Sequence, residues 1–383
     1  MKFIFFSFFF VSILSNQNLG AASKTNEVTG GFNEIRESLV IIETDSGCAS
    51  GFITEQDGKK YLMTNYHVLA NTKNIQFYLV DGKQIYPESV ELSDTLDLAR
   101  FALNETNITF KALTMSSVHP SIGDDVSVYG NSDGKGVVTE LHGKITGMGP
   151  ETIEVDATFV RGNSGSPIIN DQGKVVGVAT FVTRNSRDWV ARDTRFENVR
   201  RFGCRPFANK KWVATSLSNV HKQTGLIENV WSYFNNVYGV TLCWFGDYEQ
   251  VGLAKKAFES YSVLRDSDES LKKPWENNLS FFYASYKKYW DVVPKRKHGV
   301  TQNSPNSFSV QTAKRTMLAN FQKLTADADA EVQKTKWETQ IMKSEAEALR
   351  KASARLNDTI KTLAKDDSIF WKNCILLNFD GNP

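Results

Sequence analysis

Between residues 33 and 183 the chain is written in short apolar runs broken by turn residues. "SLVIIETDSG", "ASGFITEQDGKKYLMTNYHVL", "NIQFYLVDGKQIYPESVEL", "LDLARFAL", "DDVSVYGN", "GKGVVTELHGKITGM", "TIEVDATFV" and "GKVVGVATFVT" are rich in Val, Ile, Phe, Tyr and Thr, and most are separated by Gly, Asp, Asn or Ser. Such runs predict β-strands. "EQDGKKY" and "LVDGKQI" each carry Asp-Gly, the strongest short hairpin signal. No strand–helix–strand rhythm interrupts them. Evenly spaced strands without crossover helices restrict this part to an all-β barrel or sandwich, because a closed sheet leaves no unpaired edge.

The pattern changes further on. Residues 184 to 215 are basic and irregular, which predicts an exposed extension of the β domain, with Trp212 and Val213 in a last strand. After about residue 216 the text reads as helical. From Ser309 to Ala364 the apolar positions Met317, Phe321, Leu324 and Ala328, then Leu349, Ala352, Leu356, Ile360 and Leu363, recur at intervals of three and four. A helical hairpin would cover that stripe, and so would self-association through the C-terminal helices. Residues 294–309, "PKRKHGVTQNSPNSFS", are expected to form a loop.

The first residues, "MKFIFFSFFFVSILSNQNLGAAS", place one lysine before an apolar run from Phe3 to Leu14 and then small residues. That is the layout of a secretory signal peptide, residues 1–22, cleaved after Ala21 or Ala22. The other reading is an uncleaved anchor, but the run is short for a membrane span. Export to the periplasm or the extracellular space is therefore expected, with no membrane attachment after cleavage. Residues 23–215 then form the β domain, and 216–383 a mostly α-helical C-terminal region of unassigned role. Export permits disulfides. The four cysteines, Cys48, Cys204, Cys243 and Cys374, allow three pairings, and the sequence selects none. None has a Cys-x-x-Cys partner, so no zinc site is expected. Forty-five basic residues against 43 acidic give a net charge of +2, which implies no nucleic-acid partner.

The segment "FVRGNSGSPIIN" sets Ser164 between Gly162 and Gly165. A serine hydroxyl is a weak nucleophile unless a base removes its proton. That base is usually a histidine oriented by a buried carboxylate. Glycines accept backbone angles that other residues resist, and they let a substrate come close. The N–H groups of Gly162 and Ser164 are the candidates for holding the oxyanion that forms in the transition state. Upstream, "YLMTNYHVLAN" puts His67 at the end of an apolar strand, and "SDTLDLARFAL" puts Asp97 at the start of another. Asp94, Asp124 and Asp125 compete with Asp97, but Asp97 abuts the apolar strand, where a buried orienter belongs. His119, His142, His221 and His298 sit in turns or in the helical text and are expected to be structural or solvated.

Four segments together resemble the trypsin-like serine peptidases of the chymotrypsin fold, especially the compact bacterial HtrA type. They are "GCASGFI" (47–53), "TNYHV", "DTLDLA" and "DATFVRGNSGSPIIN". The resemblance covers residues 33 to about 183. It implies two six-stranded antiparallel β-barrels with the site between them. It also implies roles: His67 as general base and acid, Asp97 as its orienter, Ser164 as nucleophile, and no cofactor or metal. It places the substrate pocket at Thr158, Phe159, Val160 and Arg161 and at Val178, Ala179, Thr180 and Phe181. No acidic residue stands there, so small or medium apolar side chains are expected before the scissile bond. Arg161 turned into the pocket would instead favour acidic ones. The HtrA type carries a peptide-binding PDZ domain after the peptidase, and no sign of one is legible in residues 216–383. The expected activity is that of an exported serine endopeptidase acting on proteins or peptides. The alternative is a latent trypsin-like scaffold whose helical half binds a protein partner.

Overall fold

The computed structural model describes residues 35–45, 47–70, 72–104, 110–184, 199–227, 296–297, 300–301, part of 308–334, and 335–365. The expected leader, His298, Cys243, Cys374 and the expected helical text from 228 to 295 lie outside the described residues.

The first strands are β1 (Leu39–Thr44), β2 (Gly47–Gln56), β3 (Lys59–Thr64), β4 (Ile75–Leu79), β5 (Gln84–Ile85), β6 (Ser89–Ser93) and β7 (Ala99–Ala102). With β14 (Trp212–Thr215) they form an eight-stranded sheet in the order β14-β6-β7-β3-β2-β1-β4-β5. Asp57 and Gly58 both take positive φ, 52° and 72°, so Asp-Gly makes the tight β2–β3 turn. That turn sets the register Phe52↔Met63 and Ile53↔Leu62, and all four side chains are buried.

The remaining strands are β8 (Asp125–Asn131), β9 (Val138–Met148), β10 (Thr152–Val155), β11 (Pro167–Asn170), β12 (Val175–Arg184) and β13 (Val199–Cys204). They close into a six-stranded barrel, β10-β13-β12-β11-β8-β9. Two of the sequence expectations are corrected here. Within the basic stretch read as an irregular extension, Val199–Cys204 is a barrel strand, paired with both β10 and β12. Within the stretch read as a loop, Arg296–Lys297 pairs antiparallel with Val300–Thr301.

Three apolar clusters hold this part together. One lies on the sheet, with Ile42, Ile53, Leu62, Leu92 and Phe101. One fills the barrel, with Val128, Ile145, Ile153 and Ile168. The third joins the two, taking Phe52, Met63 and Leu98 from the sheet side and Tyr129, Val175, Val178 and Cys204 from the barrel.

The chain divides into two compact units. The first holds Asn18–Gly225 together with Trp337–Lys343, so the unit with the sheet and barrel runs past residue 215 and takes back a distant segment. Residues 217–227 are helical, and Val220 is fully buried in the sheet's apolar cluster. The second unit draws on Leu226–Lys336 and Ser344–Pro383. Its described parts include the 296–301 hairpin and most of the Gln340–Lys365 helix. In it Val332, Ala346 and Leu349 are buried, and Arg350 Nε donates to Asp329 Oδ1 at 3.1 Å. No helix among the described residues is long and apolar enough to cross a membrane.

Candidate active site

Strand β3 delivers His67. It ends at Thr64 and runs into the short 3-10 turn Tyr66–Leu69, which buries Tyr66, Val68 and Leu69 and leaves the His67 ring at 34 % exposure. Three apolar neighbours anchored in the core fix the turn, so the one polar ring faces outward.

Asp97 sits at the mouth of β7 and is 6 % exposed. Its carboxylate meets His67 twice: Oδ1 accepts the His67 backbone N–H at 2.9 Å, and Oδ2 lies 2.7 Å from Nδ1. Asn65 Nδ2 donates to the Asp97 carbonyl at 2.8 Å and to Thr180 Oγ1 at 3.2 Å. On the other side of the ring, His67 Nε2 lies 3.0 Å from Ser164 Oγ. Three residues far apart in sequence thus form one chain of contacts, Asp97–His67–Ser164. The free thiol of buried Cys204 stands in the same region. Burial, and secondarily the Asp97 charge, push its pKa up to about 12, so it stays a neutral neighbour.

The loop before Ser164 is held from both sides. Gly162 has φ +88° and Gly165 φ +87°, angles that favour glycine. The Arg161 carbonyl accepts the Asp133 N–H at 2.7 Å, and the Gly162 carbonyl accepts Ser50 Oγ–H at 2.7 Å. Ser50 Oγ also accepts the Asn131 N–H at 2.9 Å, and the Ser50 N–H donates to the Ser164 carbonyl at 2.8 Å. Asn163 Oδ1 takes the Val160 N–H and the Ser132 hydroxyl. With these carbonyls turned away, the Gly162 and Ser164 N–H groups donate to no group among the described residues. Asp133 takes φ +58° to make its bond. That is a conformation few residues other than glycine accept cheaply.

The rivals are occupied elsewhere. Asp124 accepts the Ser121 N–H, and Asp125 pairs with Lys144 at 2.6 Å. Asp94 binds backbone of the Trp337–Lys343 segment. His142 Nδ1 meets Ser127 Oγ at 2.9 Å, His119 contacts Arg205, and His221 lies in helical residues 217–227.

Of the residues expected to line a pocket, Phe159 and Ala179 belong to the barrel core and Val178 to the joining cluster. Thr180 is buried and hydrogen-bonded to the Val178 carbonyl, Asn65 and the Cys204 N–H. Thr158, Val160 and Arg161 are exposed. Phe181 is partly exposed and stacks on Phe202 with ring centroids 4.9 Å apart. Ser50, Asn65 and Asp133 are the site residues that the sequence reading missed. Ser50 stood in a quoted motif, but nothing in that motif says that its hydroxyl reaches a carbonyl 112 residues away. Among the described residues no group of His, Cys, Asp and Glu is arranged to hold a metal ion.

The family model described as a trypsin-like peptidase domain matches residues 49–178. The Serine protease Do-like HtrA of Bacillus subtilis is 30% identical over 151 residues, 36% of this chain and 34% of that protein. The Probable periplasmic serine endoprotease DegP-like of Chlamydia pneumoniae is 29% identical over 150 residues, 37% of this chain and 30% of the other. Serine protease HTR4 of Rattus norvegicus is 33% identical over 158 residues, 38% and 32% of the two chains. The chain thus spans about a third of the length of the curated relatives it matches. Over residues 49–178, then, this chain is similar to the trypsin-like serine peptidases.

Proposed function

We propose that the chain is an exported serine endopeptidase that cleaves proteins or peptides through an acyl-enzyme. The observation that carries this reading is the single line of contacts Asp97–His67–Ser164 beside two N–H groups that have no acceptor among the described residues. Ser164 Oγ attacks the scissile carbonyl carbon while His67 Nε2 takes its proton. The negative charge moves onto the carbonyl oxygen, where the Gly162 and Ser164 N–H groups receive it. Such donors are worth roughly 3–4 kcal/mol each when preorganised. Collapse of the tetrahedral intermediate breaks the C–N bond, and the leaving amine takes the proton back from His67. Water then repeats the sequence on the ester. Asp97 holds the His67 tautomer and stabilises the imidazolium without taking its proton.

The eight-stranded sheet stands for the first barrel of the two-barrel fold in this reading, and the helical C-terminal region remains part of it. The side chains left for a substrate pocket are Thr158, Val160, Arg161 and Phe181, since Phe159, Val178 and Ala179 are committed to the core and Thr180 is buried with its hydroxyl already bonded. None of the four is acidic, which supports a preference for small or medium apolar residues. Export to the periplasm follows the names of the DegP-like relatives and the layout of residues 1–22.

A fluorophosphonate probe tests the reading. The purified chain is expected to become labelled at Ser164, and Ser164→Ala is expected to lose both label and peptide cleavage while keeping its melting temperature. Cleavage retained in Ser164→Ala would overturn it.

A further inference from the structure

We propose that Trp337–Lys343 is a positioning segment for the active site, acting through Asp94 on the loop that carries Asp97. The proposal rests on the reading of Asp97 and His67 as a catalytic pair.

The segment is tied in at both ends. The Glu338 N–H donates to Gln223 Oε1 at 3.1 Å, and its carboxylate accepts Asn219 Nδ2 at 2.8 Å and the Thr215 hydroxyl. Thr339 is 2 % exposed. Here the Gln340–Lys365 helix begins, and the first backbone N–H groups of a helix have no partner within it. Asp94 supplies two acceptors. Its Oδ1 takes the Gln340 N–H at 3.0 Å, and its carbonyl takes the Ile341 N–H at 2.9 Å. A carboxylate is favoured there by the helix dipole as well. On the far side Asp94 is fixed to Lys211, whose carbonyl accepts its N–H at 3.0 Å and whose ammonium stands 3.5 Å from Oδ2.

Asp94 stands three residues before Asp97, and little chain separates them. Ser93 closes the loop by donating its N–H to the Leu98 carbonyl at 2.9 Å, and Ser93 Oγ accepts the Leu96 N–H at 3.0 Å. A shift of Asp94 has few soft torsions in which to be absorbed before it reaches the carboxylate on His67. A second link runs through the apolar core. Met342 is fully buried in the apolar cluster that also holds Tyr66, Val68 and Leu69, the three residues anchoring the His67 turn, and Leu92 and Ala99, which flank the Asp97 loop. One heptapeptide therefore binds the Asp97 loop through Asp94 and shares an apolar cluster with the residues that anchor the His67 turn. Misplacing a catalytic group by about 1 Å costs about a hundredfold in rate.

A segment that only adds packing would lower stability and leave the chemistry alone, so the test reads both. Full-length wild type, Asp94→Ala, Asp94→Asn and Met342→Ala are compared for kcat, KM, melting temperature and the titration of the His67 ring by NMR. Of the described groups near the pair, Cys204 is neutral over this range, and Lys211 stands behind Asp94. Asp94→Ala and Met342→Ala are expected to lower kcat about ten- to a hundredfold with KM within about twofold. Both are expected to lower the His67 titration midpoint, because a loosened carboxylate stabilises the imidazolium less. Asp94→Asn keeps an oxygen for the Gln340 N–H and is expected to stay within about threefold of wild type, since the hydrogen bond survives. An unchanged His67 midpoint and kcat in both alanine variants, whatever their melting temperatures, would overturn the proposal. A chain that cleaves no peptide, or cleaves after Ser164→Ala, fails the functional reading instead. The His67 titration then still decides between a positioning segment and plain packing.

Discussion

At the scale of single residues, the loop before Ser164 is where small changes matter most. A Cβ on Gly165 would stand 2.0 Å from the Ser50 carbonyl oxygen, on a backbone with φ +87°. Gly165→Ala is therefore expected to cost about 3 kcal/mol or more and to abolish probe labelling, because strain and overlap add. Denaturant midpoints and labelling measure the two effects. Ser50→Ala removes one donor and one acceptor from the scaffold of the proposed oxyanion hole while leaving the volume nearly unchanged. Labelling is expected to slow about ten- to a hundredfold in a chain that remains folded. The Cys204 thiol gives a pH-dependent prediction. Its pKa rises from 9.0 when unfolded to about 12 when folded. The folded chain therefore keeps a proton that the unfolded chain loses between those values. Its contribution to stability is complete below pH 9 and falls away as pH rises toward 12. Peptide mapping after alkylation at pH 8 is expected to find Cys204 unmodified in the native chain and modified in denaturant.

At the scale of elements, strand β7 shows how a charged residue serves a sheet. Arg100 lies between two rings, its guanidinium 4.1 Å from the Tyr61 centroid and 4.4 Å from that of Trp212. Its Nε donates to Glu91 and its Nη1 to Gln56, each at 2.6 Å. It thereby joins β2, β3, β6 and β14 through one side chain. Arg100→Ala is expected to destabilise the chain by about 2 kcal/mol, and Arg100→Lys to recover little of it, since an ammonium neither stacks nor forks. Urea unfolding of the three chains measures this. The same chemistry explains what the sequence hid. Strand β13 reads as irregular because Arg200 and Arg201 break the apolar run. In the fold Arg200 lies against Glu154 of β10 with two bonds of 2.7 Å, and Arg201 Nε donates to the Phe159 carbonyl. Those partners are remote in sequence, so no local pattern announces them. The Asp-Gly hairpin of β2–β3 and the settings of His67, Asp97 and Ser164 were legible because each is carried by a few adjacent residues. The role of Asp94 was not, because its partner Gln340 lies 246 positions away.

At the scale of the whole molecule, the unit with the site is discontinuous in sequence, made of Asn18–Gly225 and Trp337–Lys343. A fragment ending at residue 215 lacks Val220 and Met342, both fully buried in the sheet's cluster. Losing two buried side chains of this size costs on the order of 4 kcal/mol or more, a large share of a typical domain's stability. The fragment is expected to melt well below the full chain, as calorimetry would show. The discontinuity also bears on biosynthesis. A ribosome releases the chain N-terminus first and adds about 5–20 residues per second. His67, Asp97 and Ser164 are all made long before Trp337 leaves the tunnel. If the late segment sets their geometry, a nascent or truncated chain carries every reacting atom and still lacks the arrangement that makes them dangerous to its neighbours. Emergence of Trp337–Lys343 would then be the event that arms the molecule.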